Sequence, residues 1–130
     1  MKKILVTGGC GFIGSNFIKF ILDNTDFYVI NVDKHTYAGK GSNLKHMRVE
    51  DSLRYKFYLS DVASEPIMNR IFEVEKPNYV VNFAAESHVD NSIEGPLIFT
   101  KSNVLGTHVL LEAARKLNVE RFLHISTDEV

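Results

Sequence analysis

A single cysteine, Cys10, leaves no partner for an internal disulfide, which excludes a disulfide scaffold and makes a reducing cytoplasm the expected setting. Long apolar runs are missing too. After Met1 and two lysines, only Ile4, Leu5 and Val6 precede Thr7 and the glycines. That run is too short for a signal peptide or a membrane span, so a soluble protein without a membrane partner is expected. Charge of one sign is equally scarce: 15 basic residues face 16 acidic ones, for a net charge of −1. Without a basic patch, nucleic acid is excluded as an expected partner. His35, His46, His88, His108 and His124 are scattered without metal-ligand spacing, so no metal is expected. Repeats, low-complexity stretches and interdomain linkers are absent as well.

What is present has ordinary globular composition, 45% hydrophobic and 24% charged. At 130 residues the chain can bury a core without staples, and residues 1–130 are read as one domain. Short β-rich runs alternate with longer stretches of helical period, the pattern of βαβ units on a parallel sheet. Strands are expected at Lys2–Thr7, Tyr28–Val32, Tyr55–Leu59, Tyr79–Phe83 and Arg121–Ser126. A first helix is expected over Phe12–Leu22, with apolar positions Ile13, Phe17, Phe20 and Ile21. A second, opened by Ser64 and Pro66 and stopped by Lys76 and Pro77, would carry Ile67, Ile71 and Val74 along one face. A long third helix follows Gly95 and Pro96 and runs to about Leu117, with Val104, Leu111 and Ala114 among its apolar residues. The polar connection from Lys34 to Ser52 is expected to hold at most a short helix.

The sharpest local pattern is Gly8, Gly11 and Gly14 in TGGCGFIGSN, directly after the first strand and opening the first helix. Each glycine has a physical task in holding a dinucleotide. The first makes a tight turn, the second lets a pyrophosphate lie against bare backbone, and the third lets helix and strand approach. The helix start then offers N–H groups and positive dipole to the phosphates. Asp33, at the end of strand two, can accept hydrogen bonds from both adenosine ribose hydroxyls and repels a 2′-phosphate, so NAD is favoured over NADP. Lys34 beside it could meet a 2′-phosphate. Asp61 is placed to reach an adenine edge, with Val62 packing on its face; the same aspartate also has the spacing to cap the helix near Ser64. Cys10 lies within the glycine loop, but a helix N-terminus lowers thiol pKa in any protein, so no role is assigned to it.

The glycine spacing with Asp33 and the segment NFAAESHVDNS resemble the extended short-chain dehydrogenase/reductase superfamily. DKHTYAG, AAESHVDNSI, FTKSNVLGTHVLLEAAR and ISTDEV together resemble its dTDP-glucose 4,6-dehydratase family, over the whole chain. The resemblance implies an α/β fold, a Rossmann-type doubly wound parallel sheet of five strands in the order 3-2-1-4-5, truncated relative to the family. It also implies NAD as cofactor, with Phe12 and Ile13 at the pyrophosphate and Asp33, Lys34, Thr36, Asp61 and Val62 around the adenosine. Phe83, Ala84, Ala85, Glu86 and Ser87 would line the cofactor, and Ser102 would approach it from the long helix. Ser87 and Thr127 would touch the nucleoside-diphosphate sugar. By resemblance Glu129 is the base that takes the C5 proton, Asp128 the acid that protonates the leaving hydroxyl, and Thr127 a hydrogen-bond partner of the C4 oxygen. Two carboxyls with separated pKa values suit such an elimination. By spacing alone the pair reads as a solvated acidic turn. The resemblance further implies a homodimer at full length, through a bundle that includes the long helix.

The sequence departs from that family in two ways. Catalysis in the superfamily needs a tyrosine with a lysine four positions later, and none of Tyr28, Tyr37, Tyr55, Tyr58 and Tyr79 has one. The chain is therefore expected to be an incomplete and inactive N-terminal part, without the C-terminal sugar-nucleotide domain and with one edge of its sheet uncovered. Asn91 stands where dTDP-glucose enzymes more often carry arginine, and UDP-glucose 4,6-dehydratases share the HVDNS form. A UDP-sugar epimerase or decarboxylase, a UDP-glucose 4,6-dehydratase and a non-catalytic NAD-binding module are the competing readings.

Overall fold

A computed structural model describes residues 1–34, 49, 52–83 and 96–125, with backbone only for residues 96–103. Five parallel strands form one sheet: β1 (Lys3–Thr7), β2 (Tyr28–Asp33), β3 (Tyr55–Leu59), β4 (Tyr79–Asn82) and β5 (Arg121–His124). Their order is β3-β2-β1-β4-β5, as expected. The helices are α1 (Phe12–Asn24), α2 (Glu65–Glu75) and α3 (Pro96–Lys116). The expected connection after Lys34 lies mostly outside the described residues.

Parallel strands covered on both faces should be largely apolar on both, and β1, β2 and β4 are buried on both faces and mostly apolar. On one face Leu5, Ile30, Val32 and Val80 pack against Met68, Ile71 and Phe72 of α2 and against Val109, Leu110, Ala113 and Ala114 of α3. On the other, Ile4, Val6, Val29 and Val81 pack against Ile18, Ile21 and Leu22 of α1. Each large aliphatic or aromatic side chain so buried contributes about 1.5–3 kcal/mol.

The helices exist where the sequence places them, and only some of their apolar residues face inward. In α1 the buried residues are Gly14, Ser15, Ile18, Ile21 and Leu22, while Ile13 and Phe20 are exposed. In α2 they are Met68, Ile71, Phe72 and Glu75, leaving Ile67 and Val74 outside. In α3 Val104 and Leu111 face outward, and Val109, Leu110, Ala113 and Ala114 inward. In α1 and α3 close approach at a small residue sets the inward side. A Cβ on Gly14 would strike the Gly8 carbonyl oxygen, and one on Gly106 would lie 2.6 Å from Val62 Cγ2, so each glycine turns its own side of the helix inward.

Arg54 ties the end of α1 to the start of β3. Its guanidinium donates to the carbonyl oxygens of Leu22 at 2.7 Å and of Thr25 and Phe27 at 2.9 Å each. These lie at and just beyond the last turn of α1, where carbonyls lack intrahelical partners and a cation meets the negative end of the dipole. At the opposite end of the sheet from the glycine turn, the buried Glu75 carboxylate accepts the Tyr58 hydroxyl at 2.5 Å, with Lys56 Nζ at 3.3 Å and Lys3 Nζ at 3.7 Å. Burial raises its pKa, but the hydrogen bonds from Tyr58 and Lys56 and the charges of Lys56 and Lys3 outweigh burial, and the carboxyl titrates below its ordinary range.

Arg54→Ala should lower the unfolding free energy by about 2 kcal/mol, through loss of charge-assisted bonds to backbone carbonyls; urea titration measures it. A carboxyl depressed in the folded state stabilises above its unfolded pKa of about 4.3 and loses that contribution as pH falls through the lower folded value. Urea midpoints taken stepwise through that acid window should fall less steeply for Glu75→Gln than for the parent chain.

Candidate functional site at the end of the first strand

In a sheet of this order the chain's crossovers change sides between β1 and β4, and the crevice beyond the C-terminal ends of those strands is where such folds take ligands. β1 ends there in the glycine turn. Gly8 has φ 72°, a left-handed conformation that strains any residue with a Cβ. Gly11, the residue before α1, has φ −73° and ψ 174°, an ordinary extended conformation, so any demand for glycine there is one of room. Gly14 meets the expectation of close packing: its added Cβ would also come within 2.9 Å of Gly9 Cα.

Strand β2 holds the turn. The amide of Gly8 donates to Val32 O at 3.0 Å, that of Gly9 to Asn31 Oδ1 at 3.1 Å, and that of Cys10 to Asp33 Oδ2 at 3.0 Å. Three consecutive N–H groups are thus drawn to three consecutive residues of one strand. Gly11 N–H closes the turn on Gly8 O at 3.2 Å, and Ser15 N–H on Gly11 O at 2.9 Å begins the helical ladder. The start of α1 has no side-chain cap hydrogen bond and no acidic residue in its first turn, so its positive end is not neutralised from within the helix. Phe12 and Ile13 stand there exposed, at 71% and 52%.

Strand β4 holds the other side of β1. Thr7 Oγ1 donates to Asn82 Oδ1 at 2.5 Å, and Asn82 Nδ2 lies 3.1 Å from His124 Nδ1 on β5 and 3.5 Å from Thr107 Oγ1 on α3. A buried carboxamide is costly without partners; this one bridges three strands and a helix. Phe83 continues the ladder, its N–H donating to Thr7 O at 2.9 Å. Its ring is buried against Phe17, centroids 5.4 Å apart, so any contribution to a ligand comes from its backbone.

Asp61 is exposed, and its Oδ1 accepts the Ala63 N–H at 2.9 Å. It closes the turn before α2 and does not cap the helix; the cap position is Ser64, three residues further on, which makes no side-chain cap hydrogen bond. Val62 packs against the α2–α3 core beside Gly106. Lys34 is exposed next to the buried Asp33. Thr36, Ala84, Ala85, Glu86, Ser87, Thr127, Asp128 and Glu129 lie outside the described residues, as does the side chain of Ser102 on α3.

The model of the GDP-mannose 4,6 dehydratase family matches residues 5–130. The chain belongs to that family. Among relatives of this GDP-mannose 4,6 dehydratase family chain, dTDP-glucose 4,6-dehydratase 1 of Escherichia coli K12 is 53% identical across 98% of the chain, which spans 37% of that enzyme. A crystal structure of DesIV, a dTDP-glucose 4,6-dehydratase from Streptomyces venezuelae with NAD and TYD bound, superposes with TM-score 0.82 at 43% identity, over 98% of this chain and 40% of that one. UDP-glucose 4-epimerase from Thermotoga maritima, with UDP-glucose, gives TM-score 0.79 at 38% identity, over 96% of this chain and 38% of that one.

Sequence reasoning missed Asn31, Gly9, Asn82 and Thr7, which hold the turn and the strand end. The signal was present. Asn31 and Asn82 are uncharged polar residues inside YVINVD and YVVN, where strands buried on both faces should be apolar. Gly14→Ala should destabilise this family member by about 1–3 kcal/mol by forcing the helix off the turn, read from its urea midpoint.

Proposed function

We propose that this chain is the NAD-binding part of a nucleotide-sugar 4,6-dehydratase, a lyase that converts dTDP-glucose to dTDP-4-keto-6-deoxyglucose. The observation that carries the reading is the 53% identity to the Escherichia coli dTDP-glucose 4,6-dehydratase across 98% of the chain. The turn supports it physically: bare backbone, an uncapped helix start and a carboxylate one strand over suit a pyrophosphate and an adenosine ribose. DesIV, of the same fold, was crystallised with NAD.

In this reading Phe12 and Ile13 present the start of α1 to the pyrophosphate. Asp33 grips the ribose with a carboxylate that also steadies the Cys10 amide; two oxygens with about four acceptor positions allow both. The dinucleotide, when bound, supplies a hydride acceptor and donor for the sugar. Thr36, Asp61 and Val62 complete the adenosine end beside Lys34, and Ala84, Ala85, Glu86, Ser87 and Ser102 the nicotinamide side. For the elimination, Thr127 holds the C4 oxygen and Glu129 removes the C5 proton. Asp128 protonates the hydroxyl on C6, so that the C–O bond breaks and water leaves. The absence of a tyrosine with a lysine four positions later makes the chain alone inactive. Exposed Val104, Leu105 and Leu111 on α3 fit a contact with a second copy in a homodimer. Among the described residues no helix is long and apolar enough to cross a membrane, which fits a cytoplasmic setting.

A second reading, UDP-glucose 4-epimerase chemistry, is favoured by the Thermotoga maritima match at 38% identity. The adjacent Asp128 and Glu129 favour dehydration. Calorimetry should show the chain binding NAD at least about tenfold more tightly than NADP, a difference near 1.4 kcal/mol. A chimera in which this chain replaces the matching part of the Escherichia coli dehydratase should release a 4-keto-6-deoxy product from dTDP-glucose. Equal affinity for NADP, or a 4-epimer as product, sinks the reading.

A further inference from the structure

The carboxamide of Asn31 is fully buried within β2, on the face turned toward α1. Its two ends are fixed differently. Nδ2 donates to the Tyr55 hydroxyl at 3.1 Å, with Cys10 Sγ at 3.8 Å, which leaves Oδ1 directed at the Gly9 amide 3.1 Å away. An amide flipped end for end would set its NH2 group against the Gly9 N–H, donor against donor, so the donor-only Gly9 amide selects the orientation, and the Tyr55 hydroxyl, which can donate or accept, pairs with the other end.

Gly9 answers to the same side chain. A Cβ on Gly9 would collide with Asn31 Oδ1, and would stand 2.6 Å from Asn31 Cγ and 2.5 Å from Ile18 Cδ1. Gly9 is not one of the three glycines of the dinucleotide pattern, and its smallness is explained by the close approach of Asn31 and Ile18. The neighbouring amides of Gly8 and Cys10 go to Val32 O and Asp33 Oδ2. Asn31 supplies the acceptor for the middle amide, between a backbone carbonyl and a carboxylate.

From this arrangement we infer that Asn31 is a positioning residue for the dinucleotide. It touches no ligand; it holds the glycine turn in the binding shape beforehand, so that the ordering cost is not met at the moment of binding. This rests on the NAD-site reading above. Leucine at 31 keeps the volume and removes both hydrogen-bonding ends, leaving the Gly9 N–H without that acceptor.

The test uses the whole chain, with hydrogen exchange at the Gly9 amide and calorimetry with NAD. Asn31→Leu should speed exchange at Gly9 and weaken NAD binding about tenfold to hundredfold, the fold-change matching loss of a buried hydrogen bond. Asn31→Asp, which keeps an acceptor facing Gly9, should restore slow exchange at that amide. Should the leucine variant fail to fold, Asn31→Ala decides on the same two readouts. Unchanged Gly9 exchange, or unchanged NAD affinity where the parent binds, overturns the inference and leaves the NAD-site reading standing. A parent chain that binds no NAD yet loses Gly9 protection on substitution overturns the NAD-site reading, and with it the role for dinucleotide; the hold on the turn survives.

Discussion

Everything at the crevice depends on how the last residues of β1 are held by the strands on either side. Gly8, Gly9 and Cys10 give their amides to Val32, Asn31 and Asp33 of β2. Thr7 gives its hydroxyl to Asn82 of β4. Buried carboxamides reach β1 from opposite faces of the sheet, Asn31 on the α1 side and Asn82 on the α3 side. Each would be costly if left unpaired, so each constrains what it pairs with.

That constraint passes into packing. Once the turn is set, the Gly8 carbonyl lies where only a hydrogen on residue 14 fits, and this contact fixes the rotation of α1. Ile18, Ile21 and Leu22 then face Ile4, Val6 and Val29, and Phe12 and Ile13 are left at the mouth of the crevice. Arg54 anchors the far end of the same helix through backbone carbonyls. The helix that would carry the phosphates' electrostatic partner is therefore held at both ends by residues from outside it.

The architecture was legible in the sequence because it rests on alternation and punctuation. Apolar runs of strand length, a glycine turn, and helices bounded by Pro66 and Lys76 with Pro77 all stand where local pattern puts them, within one or two residues at the ends. The parallel order followed from the family resemblance. Helix faces were less legible. Phe20, Ile67, Val74, Val104 and Leu111 are apolar and exposed, so apolar residues stand on more than one side of each helix and hydrophobicity alone does not say which side is buried. Buried Glu75 in α2 shows the converse: a carboxylate lies inside because Tyr58 and two lysines meet it there.

The site divides along the same line. By itself the sequence determined the glycine turn, the acid one strand later and the family, because these depend on residue type at short spacing. Only the tertiary structure decided that Asp33 also serves the turn, that Asp61 closes a local loop, and that Phe83 turns its ring into the core. Those outcomes depend on which buried polar atom comes within hydrogen-bonding distance of which neighbour across strands and helices. Spacing along the chain does not encode such distances; packing sets them.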